Sequence, residues 1–284
     1  MEREAGALAG RVAIVTGPTS GIGTEIARGL ARQGGSVVLA CRNPEKGAAV
    51  REDLIRTTGN VHMSVETVDL ASLVSIRDFA RRFRESHRAL HVLVNNAGIF
   101  LRHRHATADG MENVFMVNVL APSLLTNLLL EPLRAGAPSR VVNVSSAAHR
   151  GGRVDFEDLQ REKSYRSFRV YTDSKFALNV LTFEMARRWR PDHVSVNAVH
   201  PGVIRTQLGR HEYPGVAEVF RLFFKSPAKG ADTPLYLATS ADLNGTTGAY
   251  WANRRMVPSD PGANDEALAR RLWDVSSRLV GLET

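Results

Sequence analysis

The chain has 284 residues, 43% hydrophobic and 23% charged, an ordinary globular composition that allows one large domain or two small ones. A net charge of +8 invites a nucleic-acid reading, but only five of the 37 basic residues are lysines, and the 32 arginines are spread along the chain rather than gathered in a block. The single Cys41 excludes an internal disulfide and fits a reducing, cytoplasmic setting, and no apolar run reaches the length of a membrane span.

The first ten residues are short and polar, without the apolar stretch of a signal peptide. Arg11 to Thr16 then reads as a short apolar strand running into Gly17-Pro-Thr-Ser20-Gly21-Ile22-Gly23 and a helical pattern of Ile26, Ala27, Leu30 and Ala31. Strand, glycine turn, helix is the context in which glycines carry chemistry. Gly17 permits the tight turn, Gly21 and Gly23 permit close approach to a pyrophosphate, and the helix N-terminus offers free N–H groups to the phosphates. Ser36 to Cys41 is a second buried strand. A carboxylate is expected at its end if the ribose 2′-hydroxyl of NAD is to be held. Cys41 and Arg42 stand there instead, so a 2′-phosphate meets no repulsion and finds a guanidinium, which argues for NADP.

Helix 45–56, strand 61–68 ending at Asp69-Leu70, helix 73–84 and strand 89–94 follow, the last leading into Asn95-Asn96-Ala97-Gly98. Residues 111–133 read as one long apolar helix carrying Asn118, although Pro122 and Pro132 interrupt it. Strand 139–144 ends in Ser145-Ser146. Tyr171 and Lys175 lie four apart at the start of a helical pattern, so their side chains share one face. A free phenol is ionised in only about one molecule in a thousand at neutral pH. A neighbouring ammonium is expected to lower its pKa and make it an exchangeable proton donor. Strand 194–199 closes at His200-Pro201-Gly202. Strands alternating with helices predict an α/β fold, a single doubly wound Rossmann domain with a mainly parallel sheet and helices on both faces, spanning 1–284.

Taken together, Thr16-Gly17-xxx-Gly21-x-Gly23, Asp69, Asn95-Asn96-Ala97-Gly98, Asn118, Ser145-Ser146, Tyr171-xxx-Lys175 and Pro201-Gly202-xxx-Thr206 resemble the short-chain dehydrogenase/reductases, in that family's order, over about residues 9–250. The resemblance implies hydride exchange between a nicotinamide and an alcohol/carbonyl pair. It implies that Tyr171 protonates the nascent alkoxide, Lys175 lowers its pKa and binds the nicotinamide ribose, Ser146 rather than Ser145 holds the substrate carbonyl, and Asn118 holds a water linking Lys175 to solvent. Gly17, Ser20, Gly21, Ile22, Gly23, Arg42, Asp69, Leu70, Asn95, Ala97, Gly98, Tyr171, Lys175, Pro201, Val203 and Thr206 would line the NADP(H) site. The chemistry is self-consistent, because hydride arrival leaves charge on the carbonyl oxygen and calls for fixed donors and one proton. No metal is implied.

Thr107-Ala-Asp-Gly-Met-Glu112, Ala148-His149, Asp155-Phe-Glu-Asp-Leu159 and Leu272-Trp-Asp-Val-Ser-Ser277 narrow the resemblance to the retinol dehydrogenase-like branch, whose members favour NADP and lipophilic aldehydes or ketones. Many of those carry an N-terminal anchor that these residues lack. A ketoreductase acting on an aromatic polyketide remains open as an alternative. So do a non-catalytic NADP(H)-binding sensor and a peripheral membrane protein using Phe220 to Phe224. His149 and His200 read as ordinary polar loop residues near the site.

Residues 202–226 read as a substrate lid and 253–284 as a C-terminal extension. Within the lid, Val216, Val219, Phe220 and Phe223 fall on one helical stripe. Ser146, Val216, Phe220 and Phe223 are therefore the expected substrate contacts, and a small lipophilic carbonyl or alcohol is the expected partner. Family dimers pair through the helices holding Asn118 and Tyr171, so a homo-oligomer is possible on the resemblance alone.

Overall fold

The computed structural model describes residues 6–203 and 225–282. Its centre is one eight-stranded sheet made of β1 (Val12–Thr16), β2 (Ser36–Cys41), β3 (Met63–Thr67), β4 (Val92–Asn95), β5 (Ser139–Val144), β6 (Val194–His200), β7 (Tyr250–Ala252) and β8 (Arg255–Met256). The order across the sheet is β3-β2-β1-β4-β5-β6-β7-β8, with every pairing parallel except β7 with β8. The order reverses between β1 and β4. In an open sheet of this kind a ligand binds outside the carboxyl ends of the strands at that reversal.

The central strands β1, β2 and β4 are almost wholly buried because both faces of the sheet are covered there, as parallel sheets require, while the edge strands β3 and β8 are more exposed. One face packs against α1 (Gly21–Arg32) and a late helix, α8 (Pro227–Thr239), around Ile26, Leu30, Leu39 and Val94. Here α1 and α8 approach so closely that a Cβ on Gly29 would overlap the Leu235 side chain. On the same side, α2 (Pro44–Thr58) begins at Asn43, whose side chain accepts from Lys46 N. The other face packs against α3 (Leu73–Ser86), α7 (Ser167–Trp189) and α9 (Glu266–Leu279), around Phe79, Leu93, Leu124, Val180 and Leu272. α9 is capped by Asp265 and lies on α7, with Trp189 and Trp273 edge to face at 6.1 Å.

The long helix expected over 111–133 is broken. It consists of α4 (Asn113–Phe115), a π turn (Met116–Leu120), α5 (Ala121–Leu128) and α6 (Leu130–Ala135). Pro122 explains the first break, since it has no N–H to return to the carbonyl of Asn118 one turn earlier and its ring crowds that carbonyl. The start is held by the fully buried Glu112, whose carboxylate accepts from Val114 N at 2.9 Å and Phe115 N at 2.7 Å. β3 and β4 are shorter than the apolar runs that announced them. β7, β8 and α8 carry no periodicity that stood out beforehand. Among the described residues, no helix is long and apolar enough to cross a membrane.

Candidate active site

The glycine turn joins β1 to α1 with Gly17 at φ +64° and Gly21 at φ +59°, both in the left-handed region that favours glycine. Thr24 Oγ1 donates to Pro18 O at 2.8 Å and closes the turn. A Cβ on Gly23 would overlap the carbonyl oxygen of Gly17, so helix and turn touch backbone to backbone. Ser20 occupies the N-cap of α1, but its exposed side chain bonds none of the first-turn amides, and that turn holds no acidic residue. The uncapped N–H groups and the positive end of the helix dipole suit a dinucleotide's phosphates. Ile22, beside them, is buried and anchors the helix.

The turn is latched to the end of β4 by a residue to which the sequence motif assigned no role of its own. Asn96 Nδ2 donates to Thr16 O at 2.9 Å and Gly17 O at 3.1 Å, while Thr16 Oγ1 accepts from Asn96 N and Ala97 N. Its signal in the sequence is its place in the Asn95-Asn96-Ala97-Gly98 motif. The Asn95 side chain points elsewhere, donating to Asn143 Oδ1 at 2.8 Å and Thr126 Oγ1 at 3.1 Å. Both amide hydrogens of Asn95 are thereby used inside the fold. Beyond Ala97, Gly98 lies against the site floor, where an added Cβ would stand 3.3 Å from Asn118 Oδ1 and 3.4 Å from Lys175 Nζ.

At the end of β2, the Cys41 thiol is buried and burial raises its pKa, as for an inert thiol. Arg42 next to it is exposed and makes no hydrogen bond or ion pair with the described residues. At the end of β3, Asp69 and Leu70 are half-buried. The Asp69 carboxylate accepts from Ala71 N at 3.0 Å, and Leu70 packs on the core.

β5 and α7 bring the reactive side chains together. Lys175 lies one turn beyond Tyr171 on the same face of α7, its Nζ 5.9 Å from the tyrosine ring centroid, and donates to Val144 O at 2.9 Å. Ser146 follows the end of β5, and its hydroxyl is near enough to the Tyr171 phenol to pull that group's pKa down against burial. Its Oγ also accepts from Ala148 N at 3.2 Å. Ser145, by contrast, is buried with its hydroxyl on Lys175 O at 3.4 Å. Asn118, at the centre of the π turn, accepts from Ile99 N at 2.8 Å and donates to Ile99 O and Ser174 Oγ. Both amide hydrogens of Asn118 are therefore engaged in bracing the end of β4 against α7.

The expected lowering of the Tyr171 pKa is corrected here. Burial raises it, and the nearby Ser146 hydroxyl only partly offsets that. Burial also pulls Lys175 down to about 8. Desolvation disfavours the charged form of both groups, and in this structure it outweighs their proximity. Tyr171 is thus a neutral proton donor at pH 7, and Lys175 is a cation close to its titration point.

Pro201 and Gly202 follow β6, and the exposed Val203 accepts at its carbonyl from Lys225 N at 2.9 Å. Thr206, Val216, Phe220 and Phe223 lie outside the described residues, and so does nearly all of the lid. An apolar contact not expected from the sequence stands at the site: Phe100 meets the Tyr171 ring edge to face at 5.5 Å. One turn before Tyr171, Phe168 is 68% exposed. His149, read from sequence as a polar loop residue, is fully buried. Among the described residues, no group of three or more His, Cys, Asp or Glu side chains could hold a metal ion.

A glycine turn at a sheet reversal, beside a serine, a neutral tyrosine and a buried lysine, defines a nucleotide-linked oxidoreductase of the α/β class. Residues 11–216 match the short chain dehydrogenase family model. Human retinol dehydrogenase 13 is 44% identical over 283 residues, covering 96% of this chain and 86% of the relative. Among solved structures, a Mycobacterium paratuberculosis protein superposes with a TM-score of 0.79 at 31% identity, covering 99% of this chain and 97% of that one. The RhlG/NADP active-site complex of Pseudomonas aeruginosa does so with a TM-score of 0.71 at 27% identity, covering 92% and 99%. The chain belongs to the short-chain dehydrogenase/reductase family, and it is an oxidoreductase.

Proposed function

We propose that this protein uses NADPH to reduce the carbonyl of a lipophilic aldehyde or ketone to an alcohol. The observation that carries the reading is the meeting of Ser146, Tyr171 and Lys175 at the carboxyl end of β5, beside a glycine turn able to take a dinucleotide. NADP is supported by Arg42 at the end of β2, where a carboxylate would repel a 2′-phosphate, and by the NADP bound in the related Pseudomonas aeruginosa complex. A lipophilic substrate is supported by Phe100 and Phe168 around Tyr171 and by the retinol named for the human relative.

The bound dinucleotide supplies the hydride, and the chain's own groups do the rest. Ser146 donates to the carbonyl oxygen and stabilises the charge that develops there. Tyr171, held neutral by burial, delivers its proton to the same oxygen. Lys175, anchored on Val144 O, places a positive charge beneath the tyrosine as that proton leaves. Asn118 keeps the floor of the site rigid through Ile99 and Ser174. We read the chain as one catalytic domain acting in the cytoplasm, supported by its single buried thiol.

The test is NADPH consumption by the purified protein with decanal, all-trans-retinal and a polycyclic ketone, against a small charged keto acid. Turnover of the lipophilic carbonyls with NADPH preferred over NADH is the expected result. Turnover confined to the keto acid, or no cofactor preference, overturns the reading.

A further inference from the structure

The peptide unit between Ser146 and Ala147 is gripped from both sides by imidazoles. On one side, Ser146 O lies 2.7 Å from His149 Nδ1 and also accepts from His149 N at 3.1 Å. On the other, Ala147 N donates to His200 Nδ1 at 3.2 Å. His149 is itself held in place. Its Nε2 accepts from Asp260 N at 3.1 Å, Ser259 Oγ lies 3.3 Å away, and its ring packs on Tyr250 with centroids 4.5 Å apart.

These partners dictate two opposite tautomers. An N–H from Asp260 needs a lone pair on His149 Nε2, so the proton of His149 sits on Nδ1 and is donated to Ser146 O. An N–H from Ala147 needs a lone pair on His200 Nδ1, so the proton of His200 sits on Nε2. Protonating either ring would set two N–H groups against each other. Burial keeps both neutral, lowering His149 and pulling His200 down to about 4. Lys225, His149 and Arg150 add to this at His200; at His149 the bond to Ser146 and the nearby Asp260 oppose it, while Arg150 adds to it.

We propose that His149 and His200 are positioning residues that clamp the Ser146–Ala147 peptide plane and so aim the Ser146 hydroxyl at Tyr171 and the substrate carbonyl. Ser146 Cα lies in the clamped plane, so the plane fixes where the side chain starts, and Ala148 N, donating to Ser146 Oγ at 3.2 Å from the same turn, holds its direction. The clamp also ties the site to the C-terminal segment, where Gly151 N donates to Asp260 Oδ2 at 2.8 Å and Arg150 donates to Pro258 O at 2.9 Å. The proposal rests on the reductase reading for its effect on rate, and its geometry stands apart from that reading.

Two measurements test it. Imidazole nitrogen NMR on the whole protein at pH 7 should find His149 as the Nδ1–H tautomer and His200 as the Nε2–H tautomer. The same tautomer in both, or an imidazolium in either, overturns the clamp whether or not any substrate is turned over. The second measurement compares variants with NADPH and decanal. His200→Leu and His149→Leu should each lower kcat by about tenfold to a hundredfold, the scale of a reacting group misplaced by about an ångström. KM and NADPH affinity should stay within about threefold.

His200→Asn and His149→Asn put an amide oxygen or nitrogen where Nδ1 was, and should recover most of kcat. Because both rings act on one peptide, the double leucine variant should lose less than the product of the single losses. Where a leucine variant does not fold, Asn against Gln at the same position reads the same contact, since Gln reaches toward Nε2 instead. Wild-type kcat in the leucine variants, or no advantage of Asn over Leu or Gln, overturns the proposal. Ser146→Ala and Tyr171→Phe separate the two readings. If they also keep turnover, the catalytic site is wrongly assigned; if they lose it while the histidine variants do not, only the clamp fails.

Discussion

The ammonium of Lys175 donates to the carbonyl oxygen of Val144 across 2.9 Å, tying the helix that carries Tyr171 to the strand that leads into Ser146. That bond holds a cation that burial has brought from 10.5 down to about 8. A folded-state pKa below the unfolded one means that the unfolded chain binds more protons between those two values, so stability rises with pH across that window. Lys175→Met lacks this dependence. Denaturant unfolding at pH 7.5 and pH 10 should show wild type gaining on the variant by up to about 3 kcal/mol, at about 1.4 kcal/mol for each pKa unit. Parallel curves at the two pH values would show that Lys175 is not desolvated. The variant should also lose both rate and NADPH affinity.

Tyr171→Phe keeps the ring against Phe100 and removes the proton. NADPH affinity should change little, and kcat should fall by about a hundredfold to ten-thousandfold, the range of general acid catalysis. A variant retaining more than about a tenth of wild-type kcat would contradict the role given to Tyr171.

Arg42→Ala should weaken NADPH binding by about tenfold to a hundredfold, the equivalent of one charge-assisted hydrogen bond. NADH, without a 2′-phosphate, should bind as before. Fluorescence titration with both dinucleotides measures this, and an equal loss for both would mean that Arg42 acts on something they share.

Gly23→Ala puts a methyl group onto the Gly17 carbonyl and against Asn96 Nδ2 at 2.5 Å. Neither neighbour can yield, because Asn96 is bonded to Thr16 and Gly17 and the turn is closed by Thr24. Overpacking of this kind costs about 1–3 kcal/mol. Thermal unfolding should show that loss, and dinucleotide binding should weaken with it. A variant with wild-type melting and affinity would show that the turn is looser than its geometry.

Phe100→Ala should raise KM for decanal and retinal more than for a small ketone, because it removes apolar surface beside the tyrosine. Equal effects on both substrate sizes would place the lipophilic wall elsewhere. The stripe of Val216, Phe220 and Phe223 is the other candidate for that wall.

What the amino-acid order alone determined is what depends on short range. The apolar run Ser36–Cys41, bounded by glycines and Pro44, reads as a strand covered on both faces, and the glycines after Thr16 read as a turn into a helix. Tyr171 and Lys175, four apart, must share a helix face. What only the tertiary structure decided depends on burial and on partners far along the chain. Desolvation, and not the neighbouring cation, sets the proton affinity of Tyr171. The Asn95 amide turns away to Asn143, 48 residues on, and leaves Asn96 to hold the glycine turn from 79 residues away. His149 became a buried strut because its partner Asp260 lies 111 residues further along. No local pattern encodes such contacts: the free energy of a buried polar group is set by the atoms the fold brings around it, and those atoms have no fixed spacing in the sequence.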